Sequence, residues 1–297
     1  MEIRSALRDR RELPQGVYRV ILVVAALLWG SSYVTLKDVY EVLSPSWLLG
    51  IRFVLAGALT SLVLHRRLAR NLDRGHVIAA VLMGLTGGIG YLVQNIGLVD
   101  TTPGHNAFLT ATYCVMVPFL HWAAAKVKPT IRNIAAAVLA VAGVGMLSLG
   151  GEDPFSLRWG DWLTLAGAFW FAIQIEVMVA VTRGRDVLAI TCIEFFVMGL
   201  VTLAYGIVAE PAPSLETLSQ PHLWVQIVYL VVFSGCLCTM MQNVGQAHVP
   251  PSQASLLLSL ESVFGVLFSV FFYGEVLTPA LVGGFALVFA GVLLSEL

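Results

Sequence analysis

The stretch GYLVQNIGLVDTTPG at residues 90–104 returns 148 positions later as CTMMQNVGQAHVPPS at residues 238–252. The two copies keep an amide pair, a glycine and a proline at the same spacing, which indicates an internal duplication. The residues brought into register are Gln94-Asn95 with Gln242-Asn243, Gly97 with Gly245, and Pro103 with Pro251.

The duplication extends along the rest of the chain. The same shift places Ala142-Gly143-Val144 on Ala290-Gly291-Val292. Nearer the start, Ile51-Arg52-Phe53 falls on Ile193-Glu194-Phe195 with a shift of 142, and Trp29 falls on Trp170 with a shift of 141. We therefore predict a cytoplasmic N-terminal segment at residues 1–17, a first repeat at 18–150 and a second repeat at 162–296.

The composition places these repeats in a membrane. Of the 297 residues, 58% are hydrophobic and 12% are charged, whereas a soluble domain has about 25% charged residues. The net charge of −1 gives no bias toward nucleic acid. A membrane-spanning helix needs about 20 mostly apolar residues, and ten segments qualify. We predict an all-α membrane protein whose ten transmembrane helices lie near residues 18–36, 46–65, 76–99, 104–124, 132–150, 162–182, 189–209, 223–246, 252–272 and 279–296.

The number of spans in each repeat determines how the second repeat is oriented in the membrane. Because five is odd, the second repeat must enter the membrane from the opposite face, and inverted repeats are typical of secondary transporters.

The basic residues predict which side faces the cytoplasm, because cytoplasmic loops carry an excess of lysine and arginine. If both termini lie on the cytoplasmic side of the cytoplasmic (inner) membrane, only Lys37 and Arg158 lie on the outer side, and Arg52 lies within a span. The other fourteen of the seventeen basic residues then lie inside, namely Arg4, Arg8, Arg10, Arg11, Arg19, Arg66, Arg67, Arg70, Arg74, Lys126, Lys128, Arg132, Arg183 and Arg185.

Several motifs in this order resemble a known family. They are Leu28-Trp29-Gly30-Ser31-Ser32, Arg52-Phe53, Gln94 through Pro118, Pro251 to Glu261, Gly274-Glu275 and Gly283 to Leu294. The chain resembles the EamA-type transporters of the drug/metabolite transporter superfamily over residues 18–296. This resemblance implies ten helices, a central cavity lined by spans 1, 3, 4, 6, 8 and 9, and movement of amino acids, metabolites or drugs. One departure is Lys126-Val127-Lys128, which stands where the second repeat has Gly274-Glu275.

Ionisable side chains within the spans are the first candidates for chemistry, because charge is costly there. Glu261 lies nine residues into span 9, about 13 Å deep at about 1.5 Å per residue, near the middle of a core about 30 Å thick. Its repeat counterpart is Tyr113. We expect Glu261 to bind substrate or a proton, the alternative being a structural carboxyl satisfied by neighbouring helices.

Arg52 and Glu194 are repeat counterparts, which suggests an ion pair. Inversion argues against it, because it places Arg52 about 9 Å from the outer edge and Glu194 about 8 Å from the inner edge. We expect each to stabilise a gate or a helix contact, with substrate contact as the alternative. Glu176 is expected to reach the inner interface.

Aromatic and amide side chains complete the candidate site. A cage of aromatic rings with one carboxylate suits a cationic or amphipathic solute, although helix packing explains any one ring equally well. The amide pairs are expected to bond between helices first and to line the cavity second. The predicted substrate-binding residues are Trp29, Tyr33, Tyr91, Gln94, Tyr113, Trp170, Gln174, Gln242 and Glu261, and the predicted coupling or gating residues are Glu261, Arg52 and Glu194.

These observations predict a secondary transporter, not an enzyme, that exports a small metabolite, amino acid or drug-like amphipathic solute by alternating access. The expected partners are the solute, the lipid bilayer and protons, with no nucleic acid, cofactor, metal or catalytic residue, and the sequence indicates no oligomeric state. The alternatives are a membrane-embedded enzyme and a structural or receptor membrane protein. None of the six histidines has another four residues away, most lie in or beside different loops, and no phosphate-binding glycine loop occurs. Solute flux in liposomes separates the classes, because only a transporter produces it.

Overall fold

The computed structural model describes residues 14–126, 128–148, 157–249 and 251–296. Most of the predicted N-terminal segment, residues 1–13, lies outside these ranges. Within them the chain is helical and contains no strand. Ten apolar helical segments follow one another, and the short helices His65–Asn71 and Leu215–Leu218 lie in connections between them. The segments are α1 Gln15–Val39, α2 Pro45–Val63, α3 Arg74–Asp100, α4 Pro103–Ala125, α5 Ile131–Ser148, α6 Trp159–Val181, α7 Val187–Ala209, α8 Pro221–His248, α9 Pro251–Phe268 with its continuation Ser269–Tyr273, and α10 Pro279–Glu296.

Seven of these segments are long and apolar enough to cross a membrane, namely α1 to α4 and α6 to α8. In the other three, the apolar part that the structure describes is shorter, at Ile131–Gly143, Leu257–Tyr273 and Pro279–Gly291. The all-helical prediction is therefore confirmed for the described residues, and seven helices have the dimensions of membrane spans.

Helix starts follow from local sequence. Proline occupies the first turn of α2, α4 and α8, where its missing N–H removes no helical hydrogen bond. The Asp73 and Asp186 carboxylates cap α3 and α7 by accepting hydrogen bonds from backbone N–H groups three residues ahead. Counterpart ends also match, because Lys126 after α4 and Gly274 after α9 both adopt the left-handed conformation, with φ of 61° and 73°.

Three segments depart from α-helical hydrogen bonding, one of them the continuation of α9 at Ser269–Tyr273, which forms a π-helix. In α4 the helix is interrupted at Ala111 and Thr112, between Pro103–Thr110 and Tyr113–Ala125. In α8 residues Leu230–Leu237 form a π-helix, a rare turn that is frequent at functional sites. Hydropathy patterns predict none of these features, because they are insensitive to the hydrogen-bond register.

Helix packing repeats between the two halves. The first half contributes α1 to α5 and the second half α6 to α10, so each helix has a counterpart five segments later. α3 packs on α6 as α8 packs on α1, and α4 packs on α6 as α9 packs on α1. α2 with α7, α4 with α9, and α5 with α10 are contacts between counterparts. The contacts are therefore the same when each helix is replaced by its counterpart, as in two similar units related by a two-fold operation.

The counterparts α2 and α7 run antiparallel. Gly50 of α2 packs against Leu203 of α7, while Gly57, two turns later on α2, packs against Phe196, two turns earlier on α7. The absence of side chains at the two glycines lets the helices approach closely.

The counterparts α5 and α10 are also antiparallel. A methyl group on Gly143 would lie 2.6 Å from the Gly284 carbonyl oxygen, and one on Gly291 would lie 2.8 Å from the Ala136 carbonyl oxygen. These contacts, like those between α2 and α7, run in opposite directions along the two helices.

The contact between α3 and α6 gives a direct test of this packing. A methyl group at Gly97 of α3 would lie 2.5 Å from the Gly160 carbonyl oxygen, whereas one at Gly16 meets no atom within 4 Å. We expect Gly97→Ala to reduce the free energy of unfolding by about 1–3 kcal/mol, because the helices must separate. Gly16→Ala is the control. Thermal melts of both variants in detergent check this, and equal melting temperatures would contradict it.

Candidate functional site

A cavity lies where helices of the two halves meet. It is lined by side chains from α1, α2, α3, α4, α6, α8 and α9. The six helices implied by the family resemblance all contribute. The additional helix is α2, which contributes Arg52.

The structure brings most of the predicted site residues together at this cavity. Trp170 and Glu194 are the exceptions, and in α6 the neighbouring Phe171 lines the cavity. Asn95 of the first amide pair also lines it, and so do Ser32, Ser234 and Gln246, which were not predicted because single polar residues in a span give no distinctive signal. The predicted residues that line the cavity are Trp29, Tyr33, Arg52, Tyr91, Gln94, Tyr113, Gln174, Gln242 and Glu261.

Glu261 projects from α9 and is 5% exposed. Its Oε1 lies 3.5 Å from the Tyr33 hydroxyl, a long contact for a carboxylate. Tyr33 is held by Gln94, whose Nε2 donates to the Tyr33 oxygen at 3.0 Å and to Thr110 Oγ1 at 2.7 Å. No lysine, arginine or histidine of the described residues forms an ion pair with Glu261. The carboxylate therefore retains acceptor capacity toward the cavity.

Arg52 is buried on another wall of the cavity, with 1% exposure. Its Nη2 donates to the backbone oxygen of Ser234 at 3.0 Å and to Ser234 Oγ at 2.8 Å. The guanidinium carbon lies 5.1 Å from the Phe53 ring centroid and 5.9 Å from that of Tyr91, within cation–π range. Nε has no hydrogen-bond partner among the described residues.

The π-helix of α8 creates the acceptor that Arg52 uses. The Cys238 amide bonds to the carbonyls of Phe233, five residues back, and Gly235, and not to that of Ser234. The Ser234 oxygen accepts from Arg52 and also from Trp29 Nε1, at 3.1 Å. One carbonyl thus joins α1, α2 and α8 at the cavity wall.

Glu194 lies behind the cavity and is completely buried. Gln174 Nε2 donates to its Oε1 at 3.1 Å, and Asn243 Nδ2 donates to its Oε2 at 2.8 Å. Asn243 also donates to Thr191 Oγ1 at 2.8 Å. Both carboxylate oxygens therefore have partners, and the network connects α6, α7 and α8.

Arg52 and Glu194 form no ion pair in the part of the chain that the structure describes. The contacts of α2 with α7 place Arg52 level with Val201, seven residues from Glu194 along α7. Seven residues correspond to about 10 Å along a helix. The separation and lack of pairing agree with the argument from inversion.

The two amide pairs take similar but not identical places, because both residues of the first pair line the cavity and only Gln242 of the second does. Gln94 and Gln242 line the cavity. Asn243 bonds within the Glu194 network, and Asn95 Oδ1 accepts from the Tyr40 hydroxyl at 2.6 Å. The sequence left helix bonding and cavity lining open, and the structure places residues of each pair in both.

Glu275 joins the end of α9 to the start of α4. It accepts hydrogen bonds from Thr102 Oγ1 at 2.6 Å and from the Gly104 amide at 3.0 Å, and it also bonds to the Ser269 hydroxyl. His105 Nε2 lies 3.8 Å from the same carboxylate. The counterpart position in the first repeat, residue 127, lies outside the described residues.

A second polar cluster connects the short helix His65–Asn71 with the starts of α3 and α7 at the other end of the bundle. Arg67 pairs with Asp186 at 2.6 Å, and the Asp186 amide donates to His76 Nε2 at 3.1 Å. His76 therefore carries its proton on Nδ1, which faces Asp73 Oδ2 at 3.0 Å. Hydrogen bonds from the His76 backbone and then its side chain hold the pKa of Asp73 below its ordinary value.

Glu176 lies outside the cavity lining. Its Oε2 is 2.9 Å from His121 Nδ1, so the carboxylate has a partner on α4. Within the described ranges, no group of three or more histidine, cysteine, aspartate or glutamate side chains could hold a metal ion.

Comparison with known proteins supplies the family. The model of the EamA-like transporter family matches the chain twice, at residues 18–149 and at residues 158–297. The chain belongs to the EamA-like transporter family. As an EamA protein of the drug/metabolite transporter superfamily, it is a multi-pass membrane transporter, and its two matches follow the duplication of the sequence.

Curated relatives of this EamA protein are also named as transporters. An uncharacterized transporter of Archaeoglobus fulgidus is 27% identical over 287 residues, covering 95% of this chain and 88% of that protein. An S-adenosylmethionine/S-adenosylhomocysteine transporter of Chlamydia muridarum is 26% identical, covering 90% of this chain and 87% of that protein. A protein of known crystal structure superposes with a TM-score of 0.69 over 94% of this chain and 96% of that one, at 16% identity, which shows the fold alone.

Proposed function

We propose that this EamA protein is a secondary transporter that binds a small solute in the central cavity and exports it by alternating access. The observation that carries the proposal is the cavity itself. Helices of both halves supply its lining, which includes a carboxylate, a guanidinium, amides and aromatic rings within an otherwise apolar bundle. Transporter sites are typically built at such a repeat interface near the midplane.

We further propose ten membrane spans arranged as two inverted five-helix repeats. The antiparallel contacts of α2 with α7 and of α5 with α10 support this arrangement. Repeats related by an axis along the membrane normal would leave counterpart helices parallel. The family matches at 18–149 and 158–297 lie close to the predicted repeat bounds of 18–150 and 162–296.

Both termini are then cytoplasmic, as the distribution of basic residues indicates. A reporter that is active only in the cytoplasm should be active when fused after Leu297. The same reporter inserted in the connection between α7 and α8, at residues 211–214, should be inactive. The reverse pattern would exclude the orientation, and activity at both sites or at neither would exclude the ten-span count.

This orientation places Glu275 and the start of α4 at the outer side. In the described conformation, Glu275 bonds the outer ends of two counterpart helices together. Alternating access requires those ends to separate when the cavity opens outward. We propose that this carboxylate is the outer closing contact.

The first solutes to test are S-adenosylmethionine and S-adenosylhomocysteine. The chlamydial relative is named for transporting them. The cavity offers Glu261 to a cationic group and the rings of Trp29, Tyr91 and Phe171 to a flat heterocycle. We therefore propose a metabolite that combines a cationic group with a flat ring system.

Exchange in liposomes tests the proposed function. Purified protein is reconstituted with unlabelled S-adenosylmethionine inside, and uptake of the labelled compound is measured without ATP. We expect uptake that saturates with solute, as a carrier requires, and recovery of the compound unchanged, which an enzyme would not give. Flux equal to that of protein-free liposomes, for these compounds and for a panel of amino acids and amines, would overturn the proposal.

A further inference from the structure

We infer that the cavity is built for a zwitterion, with Arg52 binding the carboxylate of an amino-acid-type solute and Glu261 binding its cationic group. This inference rests on the proposed function, because it assigns a chemical class to the solute of the same site. It also changes the role of Arg52 from the gate or helix contact expected from the sequence to a direct substrate contact.

The first support is the unneutralised charge of Arg52. An arginine in a membrane interior is costly and normally has a carboxylate or several acceptors around its five N–H donors. Arg52 is 1% exposed, and only its Nη2 is hydrogen-bonded among the described residues. The buried Nε donor has no partner there.

The nearby carboxylates do not provide the missing anion. Both oxygens of Glu194 accept hydrogen bonds from amides. Glu210 bonds to the Ser46 hydroxyl. Glu261 lines the same cavity, but the structure gives no ion pair between it and Arg52. An anion that completes the Arg52 site therefore comes from outside the described part of the chain.

The second support is that Glu261 also has no counter-charge among the described residues. Its contact is the Tyr33 hydroxyl at 3.5 Å, and no cation of the described residues pairs with it. A carboxylate and a guanidinium thus line one buried cavity without meeting each other. A ligand that pairs with both therefore carries a carboxylate for Arg52 and a separate cationic group for Glu261.

Ligand pairs that differ only in a carboxylate test the inference. Affinities of the purified protein are compared for S-adenosylmethionine and its decarboxylated form, for L-phenylalanine and phenethylamine, and for L-lysine and cadaverine. We expect at least one pair to favour the acid by roughly 10- to 100-fold, the range for a hydrogen bond to a charged group. In Arg52→Gln this preference should vanish, because glutamine carries no charge to pair with the carboxylate.

Arg158→Gln is the matched control, because Arg158 is exposed and does not line the cavity. It should keep the full preference for the acid. If Arg52→Gln does not fold, the inference is tested by the affinities of the wild-type protein and of Arg52→Lys, which retains the charge, for the same ligand pairs. Equal affinities within every pair, or a preference that persists in Arg52→Gln, would overturn the inference. Failure of all zwitterions to bind would also overturn it, and the proposed function would stand if other solutes still move.

Discussion

Replacing Glu261 with glutamine is expected to reduce solute transport about 100-fold, which corresponds to about 2.7 kcal/mol. The carboxylate is buried in the cavity, and the described chain supplies no cation for it. A cationic solute would therefore provide its main counter-charge. Glutamine keeps the size and the contact with Tyr33, so the variant should fold and melt close to the wild-type temperature.

The same substitution should remove the pH dependence of transport. Protonation neutralises the carboxylate and weakens its attraction for a cation, so wild-type binding should fall as the pH is lowered. Glutamine does not titrate, and the variant should give a flat pH profile. Exposed Glu41 supplies the control, Glu41→Gln, which should transport like the wild type. Wild-type rates and pH dependence in Glu261→Gln would leave Glu261 with only a structural role.

The fold was largely predictable because lipid imposes simple requirements on sequence. Segments of about 20 apolar residues ended at prolines and polar residues, so the predicted 46–65 and 189–209 lie close to Pro45–Val63 and Val187–Ala209. The π-helix at Leu230–Leu237 could not be predicted in this way, since hydropathy does not distinguish a π-turn from an α-turn. It matters here, because it gives Arg52 its acceptor at Ser234.

The sequence predicted which helices line the candidate site better than it predicted which face of each helix points into it. Adjacent residues on a helix point about 100° apart, so the choice between Trp170 and Phe171 depends on the rotation of α6. In the structure Phe171, Gln174 and Ile175 form the face of α6 that lines the cavity. The role of Arg52 had no such signal, because its partner Ser234 lies 182 residues away in the chain.

Replacing Glu275 with alanine is expected to open the outer side of the cavity. The carboxylate bonds to Thr102, Gly104 and Ser269, and charge-assisted hydrogen bonds contribute about 1.5–3 kcal/mol each. Loss of about 2–3 kcal/mol from the outward-closed state shifts its equilibrium with the outward-open state by roughly 30- to 150-fold. The counterpart of Glu275 in the first repeat is Val127, which has no carboxylate and cannot make the same closing contact at the inner side.

A cysteine in the cavity can report this opening. Leu36 lines the cavity, and in the proposed orientation it lies in the outer part of α1. In Leu36→Cys, a membrane-impermeant thiol reagent added from outside should react slowly, and adding Glu275→Ala should accelerate the reaction at least tenfold. The four native cysteines are buried, and the parent protein measures their background. The control is Glu216→Ala, which removes an exposed carboxylate from the outer connection and should leave the rate unchanged. If the rate also stays unchanged in Glu275→Ala at an unaltered melting temperature, Glu275 caps α4 without closing the outer side.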